Sequence, residues 1–217
     1  MPNPLAYRAY YRRYLPHYQP PKVTLFVTFR LHGSLPIEVV QRLKAMAHDR
    51  ERRIAEIPVE SDRKAELYAE HKRQFGRFDD ALDACGCGPT WLKDPRIAAI
   101  VADALHYRDE KVYDLDCFTI MSNHVHAVFA PLEDDTGTNY GLSWIMQSLK
   151  RRTATLANDV LGQKGAFWQP ENYDHVVRDE KEWQRIVWYV LNNPVKAGLV
   201  VDWREWLWTY FKYREEL

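Results

Sequence analysis

The chain has 217 residues, with 30 Lys plus Arg against 30 Asp plus Glu, 46% hydrophobic residues, 13 Tyr, 8 Phe and 8 Trp. That length can bury a real core, and the composition excludes the disordered, collagen-like and low-complexity classes. A formal charge of zero excludes bulk electrostatic attraction to nucleic acid, so any basic surface must be local. Three cysteines, Cys85, Cys87 and Cys117, are odd in number and too few for a disulfide framework, which points to reducing cytosol. No signal-type apolar run opens the sequence and no apolar stretch approaches the roughly 18 residues of a membrane span, so a cytoplasmic protein without membrane attachment is expected.

Residues 1–22 carry Arg8, Arg12, Arg13 and Lys22 without an acid, interleaved with five tyrosines, and end in Pro20-Pro21. They read as an extended basic-aromatic arm, either meeting nucleic acid through cations and stacked rings or packing its tyrosines on its own domain. KVTLFVTFRL (22–31) is β-branched and aromatic and reads as a strand. A helical pattern then runs from Ile37 to Ile57, and residues 42–80 hold ten Lys/Arg and nine Asp/Glu alternating in sign over two helical stretches. That alternation reads as a solvated helical face, a charged helical insertion around 42–90 in a single domain of 23–217.

CGCGPTW (85–91) breaks the chain, and Asp94-Pro95 opens a helix to about His106. KVYDLDCFTIM (111–121) and HVHAVFAPL (124–132) are β-like runs joined by Ser122-Asn123, a hairpin spacing. Leu142, Ile145, Met146 and Leu149 mark an amphipathic helix whose later turns carry Lys150, Arg151 and Arg152, candidate phosphate contacts or simply a solvated face. GAFWQPENYDHVV (165–177) is loop-like, then extended. From Asp179 a last helix places Trp183, Ile186, Val187, Val190 and Leu191 at helical spacing, and Pro194 is expected to close it.

Two spacings carry chemistry. In His124-Val125-His126 the period of two sends both imidazoles to one face of a strand and Val125 to the other, half of a metal site or a pair of capping histidines. With 8 His in the chain, roughly 0.3 such pairs arise by chance, so the pair alone proves little. Tyr189 and Asn193, at i and i+4 just before Pro194, share a face at the flank of the apolar stripe. They read as cleft residues, or as a core-flanking Tyr and an Asn near a helix end. Their chemical fit raises both: an ion held by two His and one amide oxygen keeps positions open for phosphate oxygens, and a Tyr hydroxyl one turn away can attack phosphorus. A tyrosine nucleophile leaves a phosphotyrosine that stores the cut bond for rejoining. His175, near this helix in sequence, reads as a site-lining or a structural histidine.

MSNHVHAVF (121–129) resembles the His-hydrophobe-His motif of the HUH single-tyrosine transposases, and YVLNNPVKAGLV (189–200) resembles the catalytic helix of their REP-associated tyrosine transposase branch. SWIMQSLKRRTA, FWQPENYDHVVRDEKEW and LPHYQPPKVTLFVTFRLHGSLP look like that branch too, so the resemblance covers most of the chain outside 42–90. It implies an α+β fold, a ferredoxin-like domain with an antiparallel sheet and packed helices. It also implies cleavage and transfer of single-stranded DNA beside a DNA hairpin, through a 5′-phosphotyrosine, with Mg²⁺ or Mn²⁺. His124 and His126 match the metal-binding histidines and Tyr189 the nucleophile; Asn193 stands where the third ligand is expected, a place many relatives fill with Gln. The implied partner is single-stranded DNA with hairpin structure, met by a monomer or a homodimer. Two rivals remain: a catalytically silent hairpin-binding protein derived from a transposase, and a metal-dependent phosphoesterase that uses water.

Overall fold

A computed structural model describes residues 7, 8, 10–12, 16–84 and 88–216. Its elements run β1 (Tyr10–Arg12), β2 (Pro16–Tyr18), β3 (Leu25–Arg30), α1 (Ile37–Ala55), α2 (Glu60–Ala84), α3 (Pro95–His106), β4 (Tyr113–Ile120), β5 (His124–Pro131), α4 (Leu142–Leu161), β6 (Tyr173–Val176), α5 (Glu180–Lys196) and β7 (Thr209–Phe211). The chain divides into two units, one of the described residues up to His32 and from Thr90 onward, the other of Gly33–Pro89. Cys85, Cys87 and Arg13 lie outside the described residues.

In the first unit five strands form an antiparallel sheet in the order β6-β3-β5-β4-β7. Along the chain β3, α3, β4, β5, α4 and β6 follow one another, so the fold is the expected α+β ferredoxin-like arrangement with β7 added at one edge. Strand alternation sorts the residues to two faces. Leu25, Val27 and Phe29 of β3 and Val125, Ala127 and Phe129 of β5 enter one core with Ile97, Val101 and Leu105 of α3 and Leu142, Ile145 and Leu149 of α4. Fully burying each large apolar side chain contributes about 1.5–3 kcal/mol, which fixes the register. Phe26, Thr28 and Arg30 of β3 therefore share the opposite face with their register partners Val128, His126 and His124.

The hairpin expected at Ser122-Asn123 is present: Met121 N–H donates to the His124 carbonyl at 2.9 Å and Leu31 N–H to that of Asn123 at 2.8 Å. The run 111–121 is not one regular strand, however. Leu115 pairs with Phe129 and Cys117 with Val128, so Asp116 is the extra residue of a β-bulge. The bulge reverses the phase of β4: Tyr113 and Leu115 before it, and Phe118 and Ile120 after it, all enter the same core.

The last helix also departs from expectation, because Pro194 lies inside α5 rather than closing it. Proline removes the N–H that would reach the Val190 carbonyl, yet Ala197 N–H meets Asn193 O at 3.0 Å and Gly198 N–H meets Val195 O at 2.9 Å. Gly198, at φ +70°, supplies the left-handed backbone that ends the helix.

The N-terminal arm is not simply extended, since β1 and β2 pair as an antiparallel ribbon. Buried Gln19 ties it down: its Nε2 donates to the Arg8 carbonyl at 2.6 Å, and its Oε1 accepts from Leu142 N–H at 2.7 Å, at the first turn of α4. Tyr7 OH donates to the Gln19 carbonyl at 2.8 Å.

In the second unit α1 and α2 form a helical hairpin whose charges are not all solvated. Glu70 is fully buried and accepts from Arg50 at 3.4 Å, from Arg73 Nε at 2.8 Å and from Arg77. A carboxylate out of water needs such compensation. Among the described residues no helix is long and apolar enough to cross a membrane.

Gln19→Ala should destabilise the chain by about 1–3 kcal/mol, the cost of stranding the buried Leu142 N–H. Urea unfolding checks it; an unchanged midpoint would mean that the arm is not anchored through this side chain.

Candidate functional site

The site forms on the sheet face that carries α5. His124 and His126, successive inward positions of β5, are 1% and 0% exposed, and Val125 between them is in the opposite core. Their Nε2 atoms face each other at 3.0 Å. Each ring is held from behind, His124 Nδ1 by Asn123 Oδ1 at 2.7 Å and His126 Nδ1 by Thr28 Oγ1 at 2.7 Å. With a hydrogen on each Nδ1, both Nε2 lone pairs point toward the same place. Two nitrogens each about 2.1 Å from one octahedral ion lie about 3.0 Å apart, so the pair has the spacing of two ligands on one cation.

Helix α5 supplies the rest. Its N-terminus is capped by Asp179, whose Oδ1 accepts from Glu182 N–H at 2.8 Å, while Glu182 Oε2 accepts from Arg178 N–H at 3.1 Å. The helix is also fastened to β4, where Trp183 Nε1 donates to Asp116 Oδ2 at 2.6 Å, a contact that the bulge makes available. So held, α5 sets the Tyr189 ring 5.6 Å from that of His126 and 6.2 Å from Phe26, centroid to centroid. Asn193 is fully buried, its Nδ2 lies 3.4 Å from the Tyr189 hydroxyl, and its Oδ1 has no hydrogen-bond partner among the described residues. A buried amide oxygen without a donor costs about 1–3 kcal/mol, and a cation would satisfy it. Two imidazole nitrogens and one amide oxygen fit a divalent ion with open positions.

Tyr189, His126 and Asn193 are thus brought together, with His124 beside His126. The supporting residues Thr28, Asn123 and Asp116 escaped the sequence reading, because strand register and a bulge, not spacing, bring them to the site. His175, on β6 opposite Phe26, has Nε2 3.3 Å from Glu182 Oε1.

The candidate phosphate contacts separate. Arg8, Arg151 and Arg152 are exposed, and Arg12 belongs to β1. Lys150 is turned inward instead: it is 9% exposed and its Nζ donates to the carbonyls of Gln169 at 3.0 Å, Pro170 at 3.1 Å and Glu171 at 3.3 Å. Those bonds commit it to the loop before β6, because its position on α4 points toward that loop and not to solvent.

The fold and site define a ferredoxin-like domain that presents two adjacent imidazoles on its sheet and a tyrosine on the helix above them. Comparison with known proteins gives a narrower likeness. A solved structure of a REP-associated tyrosine transposase bound to a REP hairpin matches with a TM-score of 0.53 at 16% identity, covering 95% of this chain and 84% of that one, a likeness of fold. In sequence, the chain is similar to the REP-associated tyrosine transposase of Escherichia coli strain K12, 24% identical over 102 residues, 47% of this chain and 56% of the relative. It is also similar to an uncharacterized protein of Haemophilus influenzae, 30% identical over 97 residues, 37% of this chain and 54% of the relative. The chain therefore spans about half the length of the curated relatives it matches. No family model matches.

Two measurements follow. Thr28→Val removes the Oγ1 behind His126 and should weaken Mn²⁺ binding about 10–100-fold, read by titration calorimetry; undiminished affinity would deny the ring its role as ligand. Burial raises the Asp116 pKa above the ordinary carboxylate value, so the folded chain holds a proton that the unfolded chain has lost, and stability rises as pH falls through the folded value and levels off below 3.8. Asp116→Asn keeps an acceptor for Trp183 and should abolish that component of the pH dependence in unfolding curves.

Proposed function

We propose that this chain is a DNA nuclease and strand transferase of the HUH single-tyrosine kind, acting on single-stranded DNA beside a DNA hairpin. One observation carries the reading: two imidazole nitrogens facing each other at 3.0 Å, with a buried amide oxygen that has no partner among the described residues, one helical turn from a tyrosine. The likeness to REP-associated tyrosine transposases in sequence and fold supports it.

His124, His126 and Asn193 would hold Mg²⁺ or Mn²⁺. Such an ion, when bound, draws negative charge from a phosphate oxygen and makes the phosphorus more electrophilic. Tyr189 is the nucleophile: its phenolic oxygen, with loss of its proton, attacks phosphorus in line, the bond to the 3′-oxygen breaks, and that oxygen takes up a proton. The products are a 5′-phosphotyrosine and a free 3′-hydroxyl. Attack by that or another 3′-hydroxyl returns the phosphate to DNA and frees the tyrosine, so one site both cuts and joins. Phe26 and the ring of His126 fix where the phenol can point. Arg8, Arg12, Arg13, Arg151 and Arg152 serve as phosphate contacts along the strand, and the charged helical hairpin of Gly33–Pro89 is an insertion in the catalytic domain. The protein works in the cytoplasm.

Tyr189→Phe should abolish cleavage of a hairpin-bearing single strand and leave hairpin affinity within about twofold, since only the nucleophilic oxygen is lost. The readout is a covalent protein–DNA adduct on denaturing gels. An adduct formed by the Phe variant would sink the assignment, and hairpin binding with no adduct from the wild-type chain would make this a silent binding protein.

A further inference from the structure

On the flank of α5 away from Tyr189 lies a second concave surface, a groove of roughly 840 Å³ between this helix and β7. Its floor is apolar, with Val187, Leu191 and Phe211 4%, 0% and 6% exposed. One wall is the indole of Trp188, which is 59% exposed. The rim carries Lys181 and Arg185, one turn apart, both exposed and in no ion pair among the described residues. The one acid in the lining, Asp179, is engaged as the helix cap. The groove thus offers a bare aromatic face with two unneutralised cations at its edge, a combination complementary to a nucleotide: a π-face for the base and positive charge for the phosphates. An apolar peptide would leave both cations without partners.

We propose that this groove holds a nucleotide of the single strand that flanks the hairpin, its base stacked on Trp188 and its phosphates against Lys181 and Arg185. This rests on the functional reading above and adds a second DNA contact on the helix that carries the nucleophile. Trp188 adjoins Tyr189 in the chain and projects about 100° away around the helix, so a strand seated at Tyr189 reaches the groove within a few nucleotides. The stacking platform selects single-stranded DNA without reading its sequence, because every base has a π-face.

The test uses the purified full chain and two probes: a DNA hairpin with a single-stranded flank bearing 2-aminopurine at successive positions, and the same hairpin with a blunt end. Trp188→Ala should weaken binding of the flanked hairpin about tenfold and leave the blunt one unchanged, and Trp188→Phe should restore most of the loss. One flank position should show 2-aminopurine quenching that depends on Trp188. Lys181→Ala and Arg185→Ala should each flatten the salt dependence for the flanked probe by about 0.7. Unchanged flanked affinity in Trp188→Ala overturns the proposal, as does equal weakening of both probes or conversion of a dimer to a monomer with DNA binding intact. Wild-type chain that binds neither probe overturns the functional reading and the nucleotide with it. A wild-type chain that binds and cuts flanked DNA no better than Trp188→Ala overturns the groove alone.

Discussion

Two imidazoles held nose to nose inside a protein are the constraint on which the rest of this structure depends. At 3.0 Å between Nε2 atoms, the two nitrogens either share one hydrogen or point their lone pairs at one place, and both arrangements need the rings fixed. The Nδ1 bonds to Asn123 and Thr28 do that. Each restraint comes from a different part of the chain, one from the turn that starts β5 and one from the neighbouring strand β3. The sheet is thus more than a platform, because its register is what sets the geometry of the histidine pair.

The second requirement is that α5 lie across that face at the right height. The Asp179 and Glu182 caps fix where the helix begins, and the Trp183–Asp116 bond fixes it against β4. The bulge at Asp116 serves both faces of the sheet. It keeps Phe118 and Ile120 in the core while turning one carboxylate toward the helix, where burial raises its pKa. That cost is accepted at the one point where the helix must not slide.

Seen along α5, the division of labour follows the helical period. Tyr189 and Asn193 share the stripe that meets the histidines, Val187 and Leu191 share the stripe packed toward β4 and β7, and Lys181, Arg185 and Trp188 form an outward stripe. A single helix therefore carries the proposed nucleophile, part of the core and the proposed base platform. Pro194 near its end leaves the backbone helical through Lys196, so Asn193 keeps its place one turn after the tyrosine.

How much of this was legible in the sequence depends on the range of the interaction. Residue alternation and helical spacing are local, so they placed β3, β5, α3 and α5, put His124 and His126 on one face with Val125 behind, and set Tyr189 above Asn193. The motif resemblance supplied the ferredoxin-like fold that the sheet order then displays. Lys150 misled because its neighbours Arg151 and Arg152 are exposed while its own reach ends on three carbonyls of a distant loop. Spacing could not choose between the two readings of the arm because Gln19 finds its partner 123 residues away at Leu142, and Pro194 misled because helix-breaking is only a tendency. Thr28 behind His126, the bulge at Asp116 and the groove beside Trp188 depend on which strands pair and in what register. Side chains far apart in the chain meet only when the whole sheet has closed, so those features belonged to the tertiary structure alone.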